Sequence, residues 1–193
     1  MKKKLILLIL SMTPLGLLAQ TNVFLAAKMN DVHALQSYKE KGVSLDTVDA
    51  IGFSPLMLSV YNNQEDAFAF LLESGVSVDL VDKSGNSALM GAIFTANQKF
   101  VNRLLESKVN INQRNYNGTT PLMLAVTLNR LDIVKLLLQY NPNRNKKDDL
   151  GNTALSIARL QENQAMVTLL TQKMRKTVEK QRVSIYHQGA YML

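Results

Sequence analysis

The sequence has no cysteine and no tryptophan, and only two histidines, His33 and His187. The missing cysteine removes disulfide scaffolds, thiolate zinc sites and thiol catalysis together. So few histidines argue against an imidazole-built metal site. Nine glycines and four prolines in 193 residues are too few for a collagenous or linker-like chain. What is present is 47% hydrophobic and 19% charged, enough to bury the core of one ordinary domain.

The formal charge of +7 invites a nucleic-acid or membrane partner until it is divided along the chain. Lys2, Lys3 and Lys4 supply +3, residues 21–172 sum to zero, and the remaining +4 lies beyond them, where Lys173, Arg175, Lys176, Lys180 and Arg182 face only Glu179. The neutral stretch is polarised, with −5 over residues 21–83 and +5 over residues 84–172. Such a body can orient a charged partner, or simply carry segregated solvated faces. The basic tail has no run of four consecutive Lys/Arg and little aromatic interleaving, which makes it a weak nucleic-acid site.

Residues 1–19 run from three lysines through the apolar segment Leu5–Leu10 to Ala19. A basic start, a short apolar centre and a small residue before a polar one form a secretory signal pattern, with a cut expected after Ala19. Leu17 is larger than the usual small residue two positions earlier. Ser11, Thr13 and Pro14 interrupt the apolar stretch, leaving it short of the roughly 20 residues that span a bilayer. The expected location is periplasmic or secreted, with no transmembrane segment after cleavage.

The rest of the chain repeats. Gly52, Gly85, Gly118 and Gly151 are 33 residues apart, and so are Leu56, Leu89, Leu122, Leu155 and Leu71, Leu104, Leu137, Leu170. Ser54, Ser87, Thr120 and Thr153 keep the same step, as do Pro55, Ala88, Pro121, Ala154 and Asp49, Asp82, Asn115, Asp148. Asp-x-x-Gly is turn chemistry. The Ser/Thr after it is a helix N-cap, with Pro or Ala at the first helical position. A short helix burying Leu56, Leu58 and Val60 is expected next, then a second helix with paired leucines such as Leu71-Leu72. Gly75 closes that second helix, and Asn141 and Lys108 take its place in later units. One unit cannot cover its own apolar face, so the units must stack into a solenoid.

These residues resemble the ankyrin repeat, whose pattern is Asp-x-x-Gly-x-Thr-Pro-Leu-His-x-Ala-Ala. The nearest copy runs from Asn115 to Val126, followed by Leu131-Asp-Ile-Val-Lys-Leu-Leu-Leu138. The resemblance implies an all-α solenoid of about five 33-residue helix-turn-helix units with β-hairpin or turn tips. Its expected divisions are a capping repeat over 20–48, repeats over 49–81, 82–114 and 115–147, a last repeat over 148–174, and a tail over 175–193. The family's histidine after Pro-Leu is Met57, Met90 and Met123 here, and Ser156 in the last unit. Its bracing of neighbouring loops should therefore be reduced. The recurrence of methionine on the stacking face points to core packing in preference to copper binding.

Nothing in the pattern supports catalysis. Ser54 and Ser87 read as caps, Asp148-Asp149 as a turn pair, and the glycines are too far apart to cradle phosphate. No catalytic residue, cofactor or metal is expected. The resemblance implies a protein-binding groove of tips and first helices. Within it Ile51, Phe53, Tyr61, Phe94, Arg114, Tyr116, Leu128 and Leu150 stand out, because the repeat does not require large apolar groups or arginine there. Some of them could instead pack between adjacent tips. The expected role is a monomeric, non-enzymatic scaffold for another protein in the bacterial periplasm, as an accessory to an envelope enzyme. Two alternatives stay open: an immunity or inhibitor protein that occludes a toxin or enzyme, and electrostatic attachment through the tail.

Overall fold

Each Asp/Asn-x-x-Gly turn hands over to a seven-residue helix, and the computed structural model describes this pattern over residues 23–172. The leader over 1–19 and the tail over 175–193 lie outside the described residues. Five helix pairs follow one another. The first is α1, at 23–28, with α2, Val32–Glu40. Next come α3 (Pro55–Tyr61) with α4 (Glu65–Glu73), and α5 (Ala88–Phe94) with α6 (Gln98–Glu106). The last two pairs are α7 (Pro121–Thr127) with α8 (Leu131–Gln139), and α9 (Ala154–Leu160) with α10 (Gln164–Thr171). From α3 to α10 every first helix packs on its own second helix, and α3, α5, α7 and α9 pack in succession. The fold is all-α. Among the described residues the tips hold no strand, only an isolated bridge between Val81 and Ser87.

The caps form as the sequence implies. The hydroxyls of Ser54, Ser87, Thr120 and Thr153 accept from the amides three residues on, at 3.1–3.4 Å. Met57, Met90 and Met123 are buried in the core. Met123 also returns a contact, its Sδ accepting from the Thr120 amide at 3.5 Å, and Ser156 does the same for Thr153 at 2.8 Å. Gly75, Lys108 and Asn141 all close their helices with positive φ.

The tips bond each other through the backbone. Lys83 N donates to Ile51 O at 3.3 Å, Tyr116 N to Ser84 O at 3.0 Å and Asp149 N to Asn117 O at 3.1 Å. This approach is what the tip glycine serves. A side-chain carbon on Gly52 would stand 2.8 Å from the Lys83 amide, whereas Gly151 has open space around it, because no repeat follows among the described residues. A second ladder uses the loop Asx column: Asp46, Asp79 and Asn112 accept from the amides of Ser77, Asn110 and Asn143 at 2.7–2.8 Å. Between the second and third pairs, Phe68 of α4 and Phe100 of α6 stack with ring centroids 4.2 Å apart.

The stack ends by changing residue type. Positions that are buried Met57, Met90 and Met123 become Ser156, and buried Val60, Ile93 and Val126 become Arg159. Leu105 and Leu138, also buried, become exposed Thr171. Such a polar outer face suits a unit whose columns are covered by no further repeat among the described residues. Arg144 closes the last helix by donating Nη1 to the carbonyls of Leu170 and Gln172 at 2.9 and 3.2 Å.

A further column shows where the repeat departs from its own rule. The turn between the two helices of each pair is left-handed, at Asn30, Asn63, Ala96, Asn129 and Glu162. Asparagine tolerates that conformation, and all three of these carboxamides also accept from the next repeat: Asn30 from the Ala67 amide at 2.8 Å, Asn63 from Asn97 at 2.6 Å and Asn129 from Asn163 at 2.7 Å. Ala96 offers no acceptor. In the following repeat Arg130, which replaces the capping residue, has a buried Nε without a hydrogen-bond partner among the described residues. Ala96→Asn is therefore expected to stabilise the protein by about 1 kcal/mol and raise Tm by about 3 °C in thermal denaturation. An unchanged or lower Tm would refute this account of the column.

Candidate protein-binding groove

The tips and the first helices share one surface, and Tyr61 shows how. Long helical side chains lean toward the helix N-terminus. Tyr61, at the end of α3, leans back so that its ring lies 5.2 Å from that of Phe53 in the preceding tip. The ring also covers Gly91 of α5, where a side-chain carbon would stand only 3.1 Å from Tyr61 Cζ. Burial, and then the Asp82 carboxylate, raise the Tyr61 phenol above its ordinary pKa of 10.0. Leu58, Leu124 and Ile157 occupy the register of Gly91, so this glycine inside a helix is a notch cut for the neighbouring ring.

Four of the eight singled-out residues stand open. Phe94 is 59% exposed, Tyr116 68% and Leu150 88%, and Ile51 is exposed as well. The others make contacts within the protein. Phe53, Tyr61 and Leu128 are half-buried against the core. Arg114 ties adjacent tips together, donating Nη2 to Asp149 Oδ1 at 2.9 Å and Nε to Gly118 O at 3.1 Å. Leu160, in the register of Tyr61 and Phe94, is 75% exposed and was not among the eight. Its signal was the column itself: a large apolar residue where Thr127 stands one repeat earlier.

Most carboxylates of this surface are hydrogen-bonded within their own turns. On the tips, Asp49 accepts the amides of Ile51 and Phe53, Asp82 those of Ser84 and Asn86, and Asp148 those of Leu150 and Asn152, all within 3.0 Å. Asp149 is held by Arg114. Glu40, Glu65, Asp66 and Glu73 of the acidic half lie on the second helices instead. Among the described residues no cluster of His, Asp and Glu could hold a metal ion, and no helix is long and apolar enough to cross a membrane.

A repeated Asp/Asn-x-x-Gly tip, a capped seven-residue helix and a longer second helix, bonded tip to tip, are the parts of one known architecture. The family model for ankyrin repeats (3 copies) matches residues 23–115 and 96–181. The chain belongs to the ankyrin-repeat family. No curated protein shows a significant match to it. Ankyrin repeats bind other proteins and are generally non-catalytic, and membership of the family suggests a protein-interaction scaffold.

Two outcomes test this division of labour. Phe53→Ala should cost about 1–2 kcal/mol in urea denaturation, while Phe94→Ala should stay within about 0.5 kcal/mol of wild type. Equal losses would place Phe94 in the packing. A raised phenol pKa also means that the stability gained from neutral Tyr61 is fully present below the unfolded value of 10.0 and is lost as pH rises through the folded value. Tyr61→Phe should therefore lose less stability than wild type when urea midpoints are compared below and above that pH. Parallel pH profiles would contradict it.

Proposed function

We propose that this protein is an exported bacterial scaffold that holds a partner protein in the groove of its tips and first helices, in the periplasm, as an accessory to an envelope enzyme. The leader pattern over residues 1–19 supports export, and the cut after Ala19 belongs to the same reading. The observation that carries the binding role is the exposure of Phe94 and Leu160, in one register of the first helices, alongside Ile51, Tyr116 and Leu150 on the tips. Large apolar groups held open on a rigid surface are the anchors of protein interfaces. A stack of short, mutually bonded units keeps them fixed before a partner arrives, which reduces the entropy lost on binding.

The test is capture from the native envelope fraction with tagged protein, read by mass spectrometry beside a Phe94→Ala/Leu160→Ala variant. One protein enriched by wild type and lost by the variant, with Tm unchanged, is the expected result. Equal recovery by both would move the site off the groove, and no specific protein from the envelope would count against a stable partner there.

A further inference from the structure

One dipeptide on the tips carries chemistry that the repeat does not ask for. The residue before the tip glycine is Ile51, Ser84 and Leu150 in three units and Asn117 in the other, which gives the chain its single Asn-Gly pair, Asn117-Gly118. In such a pair the glycine nitrogen can attack the asparagine side-chain carbonyl, because glycine has no side chain to shield it. Asn117 is exposed, and its carboxamide has no hydrogen-bond partner among the described residues. The asparagines of the neighbouring tips are tied. Asn86 donates Nδ2 to Asp82 Oδ2 at 3.3 Å and accepts from Asn115 Nδ2 at 3.0 Å, and Asn152 donates Nδ2 to Asp148 Oδ2 at 3.2 Å. The backbone of Asn117-Gly118, by contrast, is engaged at every polar group. Asn117 N donates to Asn115 Oδ1 at 3.1 Å and Gly118 N to Asn115 O at 2.9 Å. Asn117 O accepts from Asp149 N at 3.1 Å, and Gly118 O from Arg114 Nε at 3.1 Å. Arg114 also holds Asp149 itself, Nη2 to Oδ1 at 2.9 Å, so the main chain of the pair is clamped by the tip of the last repeat. The side chain is placed to react and the main chain is not.

We propose that Asn117-Gly118 is a self-modification site, a succinimide-forming pair held shut by the contact between the last two tips. When that contact opens, Gly118 N attacks Asn117 Cγ. The N–Cγ bond forms, the Cγ–Nδ2 bond breaks, and ammonia leaves with the proton given up by the Gly118 amide. Water then adds to either carbonyl of the cyclic imide and opens it to aspartate or isoaspartate, so water is the sole co-reactant. Isoaspartate routes the main chain through the side chain and lengthens it by a methylene where two backbones meet. That place has no slack: a side-chain carbon on Gly118 would already stand 2.2 Å from Arg114 Nη2 and 2.5 Å from Asp149 Oδ1. The isoaspartate product therefore releases the last repeat from its neighbour, and the aspartate product adds a negative charge beside exposed Tyr116. Each unit of a stack contacts only its neighbours, so opening at this one junction leaves the earlier repeats in place.

Ageing the purified protein at mildly alkaline pH, followed by peptide mapping in the mass spectrometer, tests this. Conversion at Asn117 should run about tenfold slower than in a free synthetic peptide of residues 111–123, because only the opened fraction reacts. Arg114→Ala should speed it toward the peptide rate, while Asn86 and Asn152 stay unconverted over the same period. Phe53→Ala, which weakens the tip two repeats earlier, should leave the rate at Asn117 unchanged. Conversion of the wild-type protein at the peptide rate would overturn the lock, and so would a rate that Arg114→Ala does not raise. Equal acceleration by Phe53→Ala would assign the reaction to global unfolding and overturn the role of the tip contact. Hydrogen exchange in α9 and α10 should be faster in the isoaspartate form, separated chromatographically, than in the unconverted protein. Unchanged protection there would overturn the release of the last repeat.

Discussion

Each helix pair in this protein has an apolar face that only the next pair can cover, and covering it requires two backbones to come within hydrogen-bonding distance at the tips. The amides of Lys83, Tyr116 and Asp149 reach carbonyls of the preceding tips at 3.0–3.3 Å. At such a distance there is no room for a side-chain carbon on Gly52, Gly85 or Gly118. The 33-residue recurrence of glycine follows from that contact. At Gly151, where no following tip lies among the described residues, the steric demand disappears.

Bonding between neighbours is distributed over three lines: the tip backbones, the loop Asx carboxyl and amide groups, and the asparagines in the turns between helices. Each line is regular enough to be read as a column and is broken where a residue departs from it. Ala96 with Arg130 is the clearest break, a left-handed residue without its carboxamide opposite an arginine with a buried unpaired Nε. The surface ion pairs Lys99–Glu65 and Arg103–Glu73 also join adjacent repeats, but exposed pairs of this kind contribute well below about 1 kcal/mol each. The stack is held by packing and by short-range hydrogen bonds.

A scaffold built this way separates stability from specificity. Residues that satisfy the columns are buried or bonded, and what remains exposed in register is free to meet a partner. Phe53 and Tyr61 fall on the structural side of that line because Gly91 opens a notch for the tyrosine ring; Phe94, one repeat later in the register of Tyr61, falls on the other. The same sorting applies to charge. Asp82 is buried in its turn while Lys83 beside it is exposed.

By itself the sequence determined the repeat, its 33-residue step, the helix pairs, the caps and the buried methionines, because each depends on chemistry within a few residues and recurs in every copy. Only the tertiary structure decided which of the singled-out residues are open. Whether Phe53, Arg114 or Leu128 faces solvent depends on which neighbours lie over it: Tyr61 across the tip, Asp149 from the following repeat, the core beneath. Those contacts join residues 8 to 35 positions apart with no shared local signal. Exposure is a property of the assembled stack, and a column of residue types records it only after the stack has been built.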